Sequence, residues 1–235
     1  MKQQTGSDPD TDKFQSAAHE AFQRYQQRAE ELNEARCALS KISERIQALE
    51  QNAQAAQTEA DTAKAAWTAL LREGDGTLTK EVQRYRAAER SAYTLIEEYD
   101  VIREELQRQL DLKDVSVAEL ACKYENAYWD VLKTKADLAL ERAMARVGLE
   151  LGVARRLHDK AARSPSEVVP LTPEILRDRF MASIERSLAG RSDEVSAMVA
   201  SELDGIVLDL AAVNRGLMHS PLSRQQRLRE HAASR

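Results

Sequence analysis

The side chains of this chain best suited to chemistry are its cysteines, histidines and paired carboxylates, and their spacing argues against catalysis. Cys37 and Cys122 lie 85 residues apart with no CxxC and no Cys/His cluster. That excludes a disulfide framework and a zinc site, and it fits a reducing compartment with two buried or seam thiols. His19, His158, His219 and His231 each lack a second histidine at i+3 or i+4, the helical spacing that turns two imidazoles toward one ion. Glu30-Glu31, Glu97-Glu98 and Glu104-Glu105 have the makings of a general acid and base, but each has Lys or Arg nearby and reads as a solvated helix face without the desolvation that catalysis needs. No GxxxxGK[ST], HExxH, GxSxG or glycine-rich dinucleotide loop is present. The expectation is a protein without catalytic residues, metal or cofactor.

Composition points to helices. The 235 residues are 31% charged and only 5% aromatic, and eight glycines with five prolines are too few for a turn-rich β protein. The 43% apolar share argues against wholesale disorder, but alanine supplies much of it, so narrow helix seams are expected rather than a thick core. A net charge of −5 argues against general nucleic-acid binding, which needs a concentrated basic face. No apolar run approaches the roughly 20 residues that span a bilayer, and the first residues lack the apolar stretch of a secretory signal. A soluble, cytoplasmic protein with no membrane contact is expected.

The elements follow by counting. Residues 1–12 are polar and read as a disordered tail. Stepping 3, 4, 3, 4 from Ala18 gives Ala18, Ala21, Tyr25, Arg28, Leu32, Ala35, Leu39, Ile42 and Ile46. It continues through Leu49, Ala53, Ala56, Ala60, Ala63, Trp67 and Leu70, and every position but Arg28 is apolar. A 3.5-residue repeat held this long predicts a left-handed coiled coil, roughly 80 Å of helix that needs a partner helix. Leu70-Leu71-Arg72-Glu73-Gly74-Asp75-Gly76-Thr77 ends it, with Thr77 or Thr79 capping the next helix. A second helix to about Leu110 covers only the C-terminal half of the first, so Leu32, Leu39, Ile42, Ile46 and Leu49 are expected to form an oligomer seam unless a later helix folds back over them.

A break at Asp111-Leu-Lys-Asp-Val and a capping box at Ser116 and Glu119 predict a third helix to about Arg163. In it Gly148 and Gly152, four apart, mark a close helix crossing, within the chain or between subunits. Trp67, Trp129 and the tyrosines fall on or near seam positions and read as packing residues. The hairpin domain is thus 13–163, a linker occupies 164–173, and a C-terminal helical region fills 174–235. Within that region, Thr172-Pro173 opens a helix closed by Gly190, Ser192 opens another reaching Val213, and Ser220-Pro221 launches a terminal helix. The fold class is all-α: a long antiparallel coiled-coil hairpin plus a smaller helical C-terminal part.

From Asn214 onward five arginines face one glutamate, a net of +4, so the preceding residues carry −9. Such a tail reads as an ordinary basic helix, as a docking element for an acidic protein surface with Leu222 and Leu228 between the arginines, or, less well without aromatics, as a nucleic-acid contact.

Leu70-Leu71 leading into the Gly74-x-Gly76 turn and a long helix, and the tail from Ser220-Pro221-Leu222-Ser223-Arg224 to Ala232-Ala233-Ser234-Arg235, resemble the phage polarity-suppression (Psu) family. The resemblance covers about half the chain, concentrated at residues 60–105 and 218–235. It implies an intertwined homodimer that binds the Rho helicase, the bacterial transcription terminator, and impedes its ATP-driven translocation. It further implies a partner in the phage capsid protein, and a location in the bacterial host cytoplasm and the virion capsid. The family's C-terminal helix faces Rho, which places Arg224, Arg227, Leu228 and Arg229 at that contact. Without the resemblance, the alternative is a structural coiled-coil scaffold or assembly adaptor.

Overall fold

The computed structural model describes residues 9–161 and 172–233, all helix, turn or irregular chain with no strand among them. Two helices dominate: α1, Pro9–Glu73, and α2, Lys80–Ala161. Helix already begins at Pro9, inside the segment 1–12 expected as a tail, while residues 1–8 lie outside the described residues. Between the helices the chain reverses as anticipated. Gly74 and Gly76 donate to the Leu70 and Leu71 carbonyls at 3.0 and 2.8 Å, and Gly76 takes φ +83°, a left-handed conformation that costs a glycine little. Thr79 Oγ1 then accepts from the Val82 amide and caps α2.

The expected break at 111–115 is absent. With no proline and no glycine between Lys80 and Val147, nothing forbids the helix. Val115, Val117, Ala118 and Ala121 are buried, so packing outweighs the modest propensity cost of the aspartates and valines, and Ser116 and Glu119 are interior helix residues rather than a capping box. This continuity overturns the expectation that the N-terminal half of α1 lacks a mate. Ala18, Ala21, Tyr25, Leu32 and Ile46 are buried within the single chain, and Leu39, Ile42 and Leu49 are half-buried, so these residues do not by themselves demand an oligomer seam.

The chain divides into two units, and both long helices contribute to each. The first joins the described residues up to Gln26 with Glu125–Asp209; the second joins Gln27–Tyr124 with the residues from Leu210 on. In the second unit Ala56, Ala60 and Ala63 of α1 are buried, as are Val82 and Ala92 of α2, the close approach that a small-residue seam permits. Trp67 Nε1 donates to Glu89 Oε2 at 2.8 Å, and the Arg86 guanidinium lies 5.5 Å from the Trp67 ring centroid.

In the first unit Tyr25 and Tyr128 bring α1 and α2 together, their ring centroids 6.5 Å apart. Trp129, expected to pack, is 56% exposed. The segment 162–171, which carries most of the expected linker, lies outside the described residues. Thr172 caps α3, Pro173–Ala189, through the Ile175 amide, and Gly190 ends it, as the Thr-Pro signal indicates. α4, Ser192–Glu202, is much shorter than expected. Asp204-Gly205 stops it, with Gly205 at φ +74°, and the chain continues as an irregular segment. There the Tyr25 hydroxyl donates to the Val207 carbonyl at 2.8 Å and accepts from the Val207 amide at 3.1 Å, satisfying both backbone polar groups of one residue.

Candidate partner-binding surface

The sequence-derived partner-binding residues lie in the second unit, where two short helices follow the irregular segment: α5, Arg215–His219, and α6, Pro221–Ala233. Asn214, expected to stop a helix, instead starts one, since its Oδ1 accepts from the Leu217 amide at 3.2 Å. Its Nδ2 donates to Asp114 Oδ2 at 3.1 Å. Leu217 and Met218 are buried and plug α5 into the unit. Ser220 Oγ accepts from both the amide and the hydroxyl of Ser223, starting α6 one residue after the cap, as Ser-Pro predicts.

The arginines divide into two sets. Arg224 Nη1 donates to the Leu217 and Met218 carbonyls, each at 2.6 Å, and lies 3.9 Å from Cys122 Sγ, while its Nε is 4.0 Å from Glu119 Oε1. The Cys122 thiol donates to the same Met218 carbonyl at 2.8 Å. These are the terminal carbonyls of α5, which no further turn of that helix can satisfy, and a cation there also complements the helix dipole. Arg227 Nη1 stands 3.5 Å from Asp111 Oδ1 and 3.8 Å from Asp114 Oδ2. The acidic surface sought by the basic tail is therefore supplied by α2 of the same chain. Arg224 and Arg227, assigned above to a partner, are engaged internally. Leu222, at 77% exposure, Leu228 and Arg229 remain exposed on α6.

Asp111, Asp114 and Glu119 were not singled out as site residues, because their stretch reads as a helix break. The available signal is charge: a +4 tail on a −9 chain has an acidic surface at hand. Elsewhere, Gly148 and Gly152 make no close crossing with another helix among the described residues. Among the described residues a Cβ on Gly152 would meet nothing within 4 Å, and one on Gly148 only Met144 of the same helix. Two grooves border α1 and α2 in the second unit, about 460 Å³ beside the turn (Leu70, Gly74, Lys80) and about 400 Å³ along the alanine seam (Ala55, Thr62, Tyr85). Among the described residues no group of three His, Cys, Asp or Glu side chains converges to hold a metal, and no helix is long and apolar enough to cross a membrane. The Glu31 carboxyl is held below the ordinary carboxylate range by its hydrogen bond from Arg28, at 2.5 Å.

Comparison of the chain with protein-family models, with curated proteins and with solved structures finds no match.

Proposed function

We propose that this chain acts by binding protein rather than by catalysis, as a homodimeric, coiled-coil hairpin inhibitor of the Rho terminator of the kind the sequence resemblance implies. The supporting observation is the seating of α6. Arg224 ties α6 to the α5 carbonyls and to Glu119 of α2, and Arg227 faces Asp111 and Asp114 of α2, so Leu222 and Arg229 are presented on a seated helix that need not be ordered on binding. Blocking a ring-shaped motor needs no reactive group in the blocker, only a firm contact, and two copies of α6 in a dimer gain from effective concentration. The experiment is co-elution of the purified chain with purified Rho, read by light scattering, alongside Rho's RNA-dependent ATPase. Co-elution and ATPase inhibition are expected, both reduced about tenfold or more by combined Leu222→Asp and Arg229→Glu. A chain that neither co-elutes nor inhibits refutes the reading. Capsid decoration belongs to the same proposal and is checked by co-sedimentation with phage capsids.

The scaffold reading is favoured by a different observation, the exposed apolar side chains of the first unit, which suit self-assembly without Rho.

A further inference from the structure

Within the second unit, α5 and α6 are joined to the long helices less firmly than those helices are to each other. The chain enters the pair through Ala212, which is exposed and takes φ +56°, a left-handed conformation that its Cβ opposes and that no burial of the side chain offsets. α5 then runs for only five residues and includes Gly216, so it is too short and too poor in propensity to persist undocked. Its apolar hold is Leu217 and Met218, and α6 buries nothing. The closest bonds of Arg224, at 2.6 Å, go to the Leu217 and Met218 carbonyls and so tie α6 to α5 rather than to α2. Toward α2 stand the exposed Asn214–Asp114 bond, the weakly donating Cys122 thiol and the ion pairs. Those pairs are long, 3.5 and 3.8 Å from Arg227 to Asp111 and Asp114 and 4.0 Å from Arg224 to Glu119, against about 2.7–2.9 Å for a close charge-assisted hydrogen bond. In the same unit Leu32 of α1 and Val117, Ala118 and Ala121 of α2 are at most 1% exposed.

We infer that α5 and α6 form a latch, hinged at Ala212, that opens as one unit while the long helices of the second unit stay folded. The two helices move together because Arg224 of α6 has the last carbonyls of α5 as its acceptors: melting α5 removes them, and freeing α6 removes the cation that α5 ends on. Upstream, the Tyr25 hydroxyl fixes the Val207 backbone in the first unit, so the freedom of the latch begins after that point. Strain at Ala212 and chain entropy favour the open state, whereas the Leu217–Met218 plug and the attraction of two arginines to three carboxylates favour the closed one. That attraction acts over long distances between partly exposed groups, so salt shifts the balance toward opening. Opening takes away the seat from which Leu222 and Arg229 are presented. This regulatory role rests on the binding reading given above; the latch itself does not.

The test is amide hydrogen exchange of the full-length chain, without Rho, read by mass spectrometry at about 0.05 and 0.5 M salt. The hydrogen-bonded amides of α5 and α6 are expected to exchange as a group, at least about tenfold faster than those of α2 around Val117 and Ala121, and about three- to tenfold faster again in high salt. Glycine adopts the φ of position 212 freely, so Ala212→Gly slows this exchange about two- to fivefold even though it adds entropy to the open chain. Ala211→Gly, where φ is not positive, adds the entropy without relieving strain and speeds exchange by a similar factor. Both alanines are exposed, so neither change disturbs packing. Asp111→Asn combined with Asp114→Asn speeds exchange in low salt and removes most of the salt response. Exchange of α5 and α6 no faster than that of α2, no response to salt, or Ala212→Gly acting in the same direction as Ala211→Gly overturns the inference. Because Rho is absent from the measurement, a latch that does not open and a chain that does not bind Rho are separate results.

Discussion

Both units are built on the same two helices, and they differ in what the rest of the chain adds. In the second unit the added helices, α5 and α6, bring two buried side chains, Leu217 and Met218, and fix themselves through Asn214, Arg224 and Arg227 to partners on α2. In the first, the 17-residue α3 is well started, capped by Thr172 and Pro173, and α4 follows with no side-chain cap, but together they bury only Leu176. Caps and propensity determine where helices form, whereas docking needs an apolar plug and polar groups whose partners sit opposite. α5 and α6 together have both, while α4 lacks the plug.

That contrast can be broken or sharpened by substitution. The largest effect is expected from Leu32→Ala in the second unit, a fully buried side chain between the long helices. It should cost about 2–5 kcal/mol, read as a lower denaturant midpoint with unchanged slope. Tyr25→Phe in the first unit leaves the Val207 amide and carbonyl without their hydroxyl partner and should cost about 1–3 kcal/mol, with faster amide exchange confined to the neighbourhood of Val207. Equal acceleration of exchange throughout the chain would show that the two units do not open separately. Arg224→Gln should release α5 and α6 at a cost of about 1.5–3 kcal/mol, seen as local exchange, because its guanidinium is largely buried against two carbonyls. Arg227→Gln, two-fifths exposed, should cost about 0–1 kcal/mol and less in high salt. The smallest effect concerns Glu31. Its folded pKa is depressed by Arg28, so the stabilisation is present above the unfolded pKa and is lost as pH falls through the lower folded value. Wild type and Arg28→Gln should therefore differ slightly at neutral pH and converge in acid, by thermal melts at each pH.

Much of the architecture is legible in the residues. The 3.5-residue stripe from Ala18 to Leu70 is the inward face of α1, with none of its positions exposed, and the Gly74–Thr79 reversal and the Thr172-Pro173 and Ser220-Pro221 starts fall where their residues put them. The misreadings share a cause. Asp111–Val115 and Asn214 were read through local propensity, but the first is held helical by the burial around Val117 and Ala121, and the second caps a five-residue helix anchored by Met218. The same limit applies to the arginines: composition exposes a basic tail, but only the approach of α6 to α2 shows that Arg224 and Arg227 face inward while Leu222 and Arg229 do not.

The Tyr25 hydroxyl on the Val207 peptide carries a consequence for synthesis. The two residues are 182 positions apart, so this contact cannot form until the chain has been made and released as far as Val207. At ordinary translation speeds of about 5–20 residues per second the N-terminal turns of α1 wait roughly 10–35 s for that contact. During that interval the reversal at Gly74–Thr79, with its short-range contacts, can form first and guide the long helices together from the turn outward.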